Sequence, residues 1–541
     1  MVECNVRPYL TARMKAFRFF LLATILALAP AVFLFVRAQG MTYSNWLFVP
    51  ATVIWLLLLS FWYLGFGGDS FKKRSRNFGI GLVSFIVLAF TSSQLLRYEG
   101  SASGSSFPKF TWVWQDDRET PEALKTSAEP ASDPRITRES LEAAAADLFQ
   151  FFGPDRNAMW PSAAFATDWS GEAPIEVWRR PVGAGWSSFT VAGERAITQE
   201  QIGDNETVSC FDLFTGKTLW QHSDNEVRLL LAKADQPMAE MGGDGPRSTP
   251  TLHDGKVYSL GATGIINCLE LKTGEKIWSR DVLKDINGVT HDWGVANAPL
   301  ILHEQGTVVL PGSKAPGVTL IALDLETGET KWTYEGKGAT YSSARVIEFF
   351  GTPQIVSVNL KDVTGHDPET GQALWTHDWP GNFPRVGQPN KIGEDQLLLT
   401  ASYGLGSPLL KLSKDGDSWA VERVWNSTRL KTKFSSAAII GDYAYGLDEA
   451  RLACINLADG RIVWKGEKYG FGQHLLFGKH LLIQAEQGEV VIGRLTPEGF
   501  SETGRIDDAL SSMTWNAPSV AGRLLLVRND KEAVCYLLPA P

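Results

Sequence analysis

CLELKTGEKIW (268–278) is the stretch that decides how this chain folds. An apolar run leads into a polar turn with Thr-Gly, then three residues and a Trp. The phrase returns as CFDLFTGKTLW (210–220), ALDLETGETKW (322–332), GHDPETGQALW (365–375) and, with Asp-Gly in the turn, CINLADGRIVW (454–464). One unit copied at separations of roughly 40 to 60 residues is an array, and the β-type runs between copies make each unit a small sheet. Gly suits the left-handed turn between third and fourth strands, while Thr or Asp bonds the turn backbone. The indole is expected between neighbouring sheets, so Trp220, Trp278, Trp332, Trp375 and Trp464 read as scaffold.

Working outward, each Trp is preceded by alternating runs broken at Gly, Asn or Asp, such as STPTLHDGKVYSLGATG ahead of Trp278. The last unit, NAPSVAGRLLLVRNDKEAVCYLLP (516–539), has three strands and no fourth. IEVWRRPV (175–182), with Trp178 at the expected place, supplies the missing one. Seven full units and one shared between the two ends predict an all-β eight-bladed β-propeller over residues 151–541, closed without a free sheet edge.

The bulk properties agree with a large, non-nucleic-acid-binding protein. At 541 residues the chain exceeds one ordinary core, and a net charge of −9 argues against a nucleic-acid partner, whose phosphates call for a basic surface. The five cysteines, Cys4, Cys210, Cys268, Cys454 and Cys535, form no C-x-x-C and no adjacent pair, so metal, c-type haem and vicinal-disulfide readings lack support. The last four fall at one position of the repeat and read as small buried thiols.

Three apolar stretches precede the array, 19–36, 46–66 and 78–96, none holding Lys, Arg, Asp or Glu. Each matches the length needed to cross a hydrocarbon core of about 30 Å. They predict a three-helix transmembrane anchor over residues 1–97. Arg7, Arg13, Lys15 and Arg18 precede the first stretch, and Lys72, Lys73, Arg74 and Arg76 lie between the second and third. The positive-inside rule then places the N-terminus in the cytoplasm and the array beyond the membrane, on the periplasmic side in a Gram-negative-type cell. Residues 98–150 read as a linker: an extended Ser-, Pro- and acid-rich tether over 98–135, then a short helix over 136–150 with Thr137 as its cap.

The repeated phrase resembles that of the pyrroloquinoline-quinone-type β-propeller superfamily, over about residues 151–541. That superfamily holds quinoprotein alcohol and glucose dehydrogenases and also a non-enzymatic scaffold lipoprotein of outer-membrane protein assembly. The segments GPDRNAMWP, EVWRRPVGAGWSS and GGDGPRSTPTL further resemble membrane-anchored members of that group. The dehydrogenases clamp a flat quinone between a Trp face and a vicinal disulfide or imidazole, hold Ca²⁺ with carboxylates and amides, and use an Asp base. This chain has no Cys-Cys pair and no long insertions. The resemblance therefore implies a membrane-anchored binding or scaffold module with cell-envelope proteins, or a small anionic ligand, as partners. The competing expectation is a quinone (PQQ) and Ca²⁺-dependent alcohol or sugar dehydrogenase feeding membrane quinone.

In a propeller the residues just before the innermost strands converge on one mouth of the central channel. Here they include Arg247, Asp292, Trp293, Tyr341, Arg385, Lys433, His474 and Trp515. Trp293 and Trp515 lie outside the Thr-Gly-x-x-x-Trp frame and offer flat stacking faces. Arg247, Arg385 and Lys433 would ring the opening with positive charge, with Asp292 as counter-charge, a rim suited to an anion or a peptide carboxylate. The bland alternative is that such residues only bond across the channel. Asp292 beside His291 is the one base-and-orienter pair. The remaining histidines show no ligand spacing for a metal.

Overall fold

Eight antiparallel blades of four strands, two of them extended by a further short strand, span Ile175–Leu537 in a computed structural model that describes residues 18–26, 44–66, 70–101, 108–114, 129–130, 133–224, 227 and 242–541. Blade 1 runs Thr190–Ala192, Arg195–Ile202, Asn205–Asp212 and Thr218–Asp224. The innermost strands of blades 2 to 8 are Thr251–His253, Leu300–Leu302, Arg345–Phe349, Asn390–Ile392, Ala438–Ile440, Gln473–Phe477 and Ser519–Ala521. Blade 8 takes its fourth strand from Ile175–Pro181, which pairs antiparallel with Glu532–Leu537 and sets Trp178 opposite Cys535. Trp178 is wholly buried, and its indole N–H donates to Leu213 O of blade 1 at 2.8 Å. Cutting such an indole to Ala typically costs about 3–5 kcal/mol.

The Thr-Gly turn has a second duty that its sequence does not display. Gly274, Gly328 and Gly371 all have positive φ, and a Cβ built on each would fall 2.3–2.7 Å from the indole of Trp220, Trp278 and Trp332 respectively. Each indole belongs to the preceding blade, so the glycine both makes the turn and admits the neighbour's Trp. Trp220 and Trp278 then donate to Leu271 O and Leu325 O, each at 3.0 Å. Trp375 departs from this pattern: it bonds Gln354 Oε1 of its own blade at 2.6 Å, facing a blade 5 whose longer third and fourth strands, Ser407–Asp415 and Ser418–Ser427, carry no Thr-Gly turn. Cys210, Cys268 and Cys454 sit opposite Trp220, Trp278 and Trp464, free and buried. Burial pushes these thiols up, to about 12, about 11 and about 11.

A closed belt of hydrogen bonds ties the blades where their inner strands begin. Ser248 Oγ donates to Asn297 O, Asn297 Nδ2 to Ser342 O, and Ser342 Oγ to Gly387 O. Ser436 Oγ accepts from Gln388 N, and Gln473 Nε2 donates to Phe434 O and Trp515 O. Asn516 Nδ2 reaches Ser187 O, and Ser188 N reaches Thr249 Oγ1, which completes the circuit. These bonds tie buried polar side chains to the next blade, each worth about 1 kcal/mol net.

Residues 146–160 close one end of the channel. Ala146 N bonds Ala521 O, Leu148 bridges Val191, Phe149 O accepts from Leu252 N, and Met159–Trp160 pairs in parallel with Gln473–Phe477. Arg156 is 3 % exposed and donates to Ala298 O (2.8 Å) and Pro299 O (3.0 Å), while Arg345 donates to Asp155 O at 3.1 Å. Ile439 N lies 3.3 Å from Met159 S. Every blade except the fifth is thus touched. Phe152, Arg156 and Ala158 adopt left-handed φ of 63°, 52° and 60°, a conformation that ordinary side chains hold only where the surroundings over-determine it.

The N-terminal region departs from the expected anchor and tether. Among the described residues one helix, Phe71–Leu95, is long and apolar enough to cross a membrane. It begins ahead of the stretch expected to span, so Lys72, Lys73, Arg74 and Arg76 lie in its first turns instead of a loop. The second expected span coincides with the helix Ser44–Phe66, and most of the first lies outside the described residues. Within the expected tether, Leu96–Ser101 pairs with Pro108–Trp112 as a hairpin, and Glu129–Pro130 adds to the outer edge of blade 8. The short helix is Arg138–Ala144, with Thr137 Oγ1 accepting from Ser140 N at 3.1 Å.

Candidate functional site at the channel mouth

The other end of the channel is built from the loops joining each outer strand to the next inner strand. Their last residues share a pattern: Trp186-Ser-Ser, Arg247-Ser-Thr, Tyr341-Ser-Ser, Phe434-Ser-Ser and Trp515-Asn-Ala. The small polar residues form the inter-blade belt, which leaves the side chain just before them at the mouth.

Aromatic rings therefore gather there. Trp515 lies 4.9 Å from Trp186 and 5.1 Å from Phe434, centroid to centroid, and Phe434 lies 6.2 Å from Phe471. Trp186 donates to Gly242 O at 2.7 Å, and Gly242 in turn lies against the ring of Trp293. Trp293 is 5.9 Å from Tyr341, and its main-chain N–H donates to Tyr341 Oη at 3.3 Å. Tyr403 stacks on Phe383 at 5.8 Å. Trp186, Trp293, Tyr341, Tyr403, Phe434 and Trp515 are all half-buried, and Phe383 is exposed.

Lys433 stands among these rings. Its ammonium is 4.8 Å from the Tyr403 centroid, 4.9 Å from Phe471 and 5.5 Å from Phe434, and the residue is 4 % exposed. Burial pulls it down to about 8, against the opposing charges of Glu449 and Glu486. Glu486 accepts from Trp515 Nε1 at 2.9 Å and from Phe471 N at 3.2 Å, so carboxylate, indole and ammonium form one group.

The other charged residues expected at the rim are committed elsewhere. Arg247 folds back on the carbonyls of Gly242, Gly243 and Gly245, at 2.7–2.8 Å. Arg385 is fully buried, lies over the Trp379 ring at 4.7 Å and donates to the carbonyls of Leu360 and Trp379. Asp292 pairs with Lys314. His474 and His291 are buried neutral imidazoles, each pulled down to about 4 by desolvation. Of the residues the sequence placed here, Lys433 and Trp515 come together in one cluster and Trp293 with Tyr341 in another. Trp186, Phe434, Phe471, Tyr403 and Glu486 were not anticipated; Trp186 and Phe434 share only a following Ser-Ser step, and the other three share no local feature.

A quinone and its Ca²⁺ do not fit this arrangement. Trp186 and Trp515 tilt 44° against each other and Phe434 lies at 52° to Trp515, so these rings do not form parallel walls for a planar quinone. The carboxylates are spent singly: Glu486 as above, Glu449 on Ser402 Oγ at 2.8 Å, and Glu206 on Ala262 N at 3.1 Å. Among the described residues no three metal-type donors converge at the mouth.

Comparison with known proteins gives a consistent picture. A family profile described as outer membrane protein assembly factor BamB matches residues 204–466, which lie in blades 1 to 6. The chain is 21 % identical over 254 residues to the outer membrane protein assembly factor BamB of Shewanella oneidensis, an alignment covering 45 % of this chain and 62 % of that protein. To the BamB of Burkholderia pseudomallei it is 22 % identical over 355 residues, covering 56 % and 87 %. To the quinohemoprotein alcohol dehydrogenase of Comamonas testosteroni it is 26 % identical over 171 residues, covering 29 % and 22 %. The crystal structure of that dehydrogenase aligns with a TM-score of 0.55 over 78 % of this chain and 84 % of its own at 12 % identity, a likeness of fold. Repeat, blade count and matches coincide: the chain carries the repeat and the eight-bladed fold of the pyrroloquinoline-quinone-like β-propellers.

Proposed function

We propose that this chain is a non-catalytic binding scaffold of the cell envelope. N-terminal helices hold it in the cytoplasmic membrane with the N-terminus inside and the ring on the periplasmic side. The basic residues flanking the apolar stretches support that orientation. The mouth receives an extended, aromatic- or apolar-rich segment of another envelope protein. The observation that carries this reading is the crescent of half-buried rings around Lys433, since partly exposed Trp, Tyr and Phe are the side chains that dominate binding surfaces. Similarity to the assembly factors across blades 1 to 6 supports the same class. A small anion is a weaker candidate partner, because Arg247 and Arg385 spend their guanidinium groups on backbone carbonyls.

A photo-crosslinking amino acid placed at Phe434, and separately at the outer-strand residue Ile462, tests this in cells producing the full chain. Discrete adducts with envelope proteins are expected from Phe434 and not from Ile462, and Trp515→Ala should abolish them. Equal adducts from both positions, or none, would remove the mouth as a docking face. Dye reduction with alcohols or aldoses after adding pyrroloquinoline quinone and Ca²⁺ is expected to stay at background. Turnover there would replace the scaffold reading.

A further inference from the structure

We propose that His253, Asp254 and His303 form a binding site for a transition-metal ion of the zinc class on the face of the ring opposite the mouth. The inference rests on blade geometry alone and is independent of the role proposed for the mouth. Both histidines sit on the turn between first and second strands, His253 in blade 2 and His303 in blade 3. The blade 2 turn is Asp254-Gly255, with φ of 46° and 72°, the left-handed pair that a tight two-residue hairpin requires. It leaves His253 and Asp254 side by side at the tip. In blade 3 Gly306 N donates to His303 O at 3.1 Å and holds His303 at the corresponding tip.

Adjacent blades bring the two tips together. His253 Nε2 is 3.2 Å from His303 Nδ1 and 3.6 Å from Asp254 Oδ2. The three donor atoms all lie within 4.8 Å of one another. Tetrahedral zinc, with metal–ligand bonds of about 2.0–2.1 Å, needs its ligand atoms about 3.3 Å apart. The imidazole pair already has that spacing, so an ion replaces the proton now shared between the two nitrogens with little movement. Asp254 supplies the third ligand. All three side chains are at least partly solvent-accessible, which leaves the fourth position open to water or to a partner's donor. Two imidazoles and one carboxylate favour Zn²⁺, Ni²⁺ or Cu²⁺ over Ca²⁺ or Mg²⁺. The nearby cation Lys256 is engaged by Glu326 and does not repel the ion.

The test uses the full-length protein in detergent, titrated with Co²⁺ as the spectroscopic probe and then with Zn²⁺ in competition. One Co²⁺ per chain with visible d–d bands, displaced by Zn²⁺, is expected. His253→Ala and His303→Ala should each weaken binding at least about tenfold, while His480→Ala leaves it unchanged. His303→Gln, which keeps a polar tip, guards against a turn disturbed by Ala and should weaken binding equally. The proposal is overturned by a dissociation constant no tighter than about 1 mM. Unchanged affinity in the doubly substituted protein, or a preference for Ca²⁺ or Mg²⁺, would overturn it as well.

Discussion

The two ends of the central channel are made from the same eight strands and finished in opposite ways. One end is stoppered by residues 146–160, whose left-handed Phe152, Arg156 and Ala158 are pinned by seven of the blades. The other is finished by loops whose aromatic rings touch each other but stay half in water. Backbone strain is tolerated at the closed end because hydrogen bonds from the surrounding blades hold the segment in place. Apolar surface left wet at the open end is what a binding face looks like before its partner arrives. The molecule thus separates the part that must be rigid from the part that must be available.

Acid should expose this contrast most strongly. His291 and His474, both at the mouth, titrate near 6.5 when unfolded and at about 4 when folded. Their contribution is complete above about pH 6.5 and is lost as pH falls toward 4; His366 in blade 4, also at about 4, pulls the same way. Glu206 works against them: burial raises it to about 7, so its contribution is full below about 4.5 and fades as pH rises. Three imidazoles at about 3 kcal/mol each, against a similar gain from one carboxyl, leave a net loss of about 6 kcal/mol by pH 4. Hydrogen exchange at pH 4 and pH 7 should show mouth loops opening well before residues 146–160. Simultaneous opening would dissolve the distinction between the two ends.

Next in size, Arg156→Met keeps the volume of the stopper but strands the carbonyl of Ala298 and leaves Pro299 O with Thr251 Oγ1 alone. A loss of about 2–3 kcal/mol in urea unfolding is expected. Trp515→Ala at the open end should cost less, about 1–2 kcal/mol, yet remove partner capture. Asp292→Asn, breaking only a half-exposed ion pair with Lys314, should change thermal stability by under about 1 kcal/mol. If Asp292→Asn proved more damaging than Arg156→Met, the charges at the mouth would be structural after all.

What the sequence disclosed and concealed follows from repetition. The Thr-Gly-x-x-x-Trp turn is written four times and once more with Asp-Gly, and Trp178 completes a pattern already known, so blade number and closure could be read directly. Trp293 and Trp515 were visible because they break that frame. Trp186 and Phe434 were not, since each merely precedes Ser-Ser and nothing local marks it as rim. Arg247 and Arg385 were legible as cations but not as cations spent on backbone, because carbonyl direction is a tertiary property. The stopper occurs once, and its non-glycine left-handed residues carry no local signature. His253 and His303 lie one blade period apart, a distance at which no ligand motif is recognised.

The shared blade also constrains how the protein is made. Arg179 donates to Glu532 across a gap of 353 positions, at 2.7 Å. During vectorial synthesis the strand around Trp178 emerges first, and its edge toward blade 8 must wait unpaired until Glu532–Leu537 has emerged. Contacts so distant along the chain form slowly and leave intermediates open to wrong pairing. Ring completion is therefore a single late event, and truncating even the last strand should yield not a seven-bladed remnant but an exposed, aggregation-prone arc.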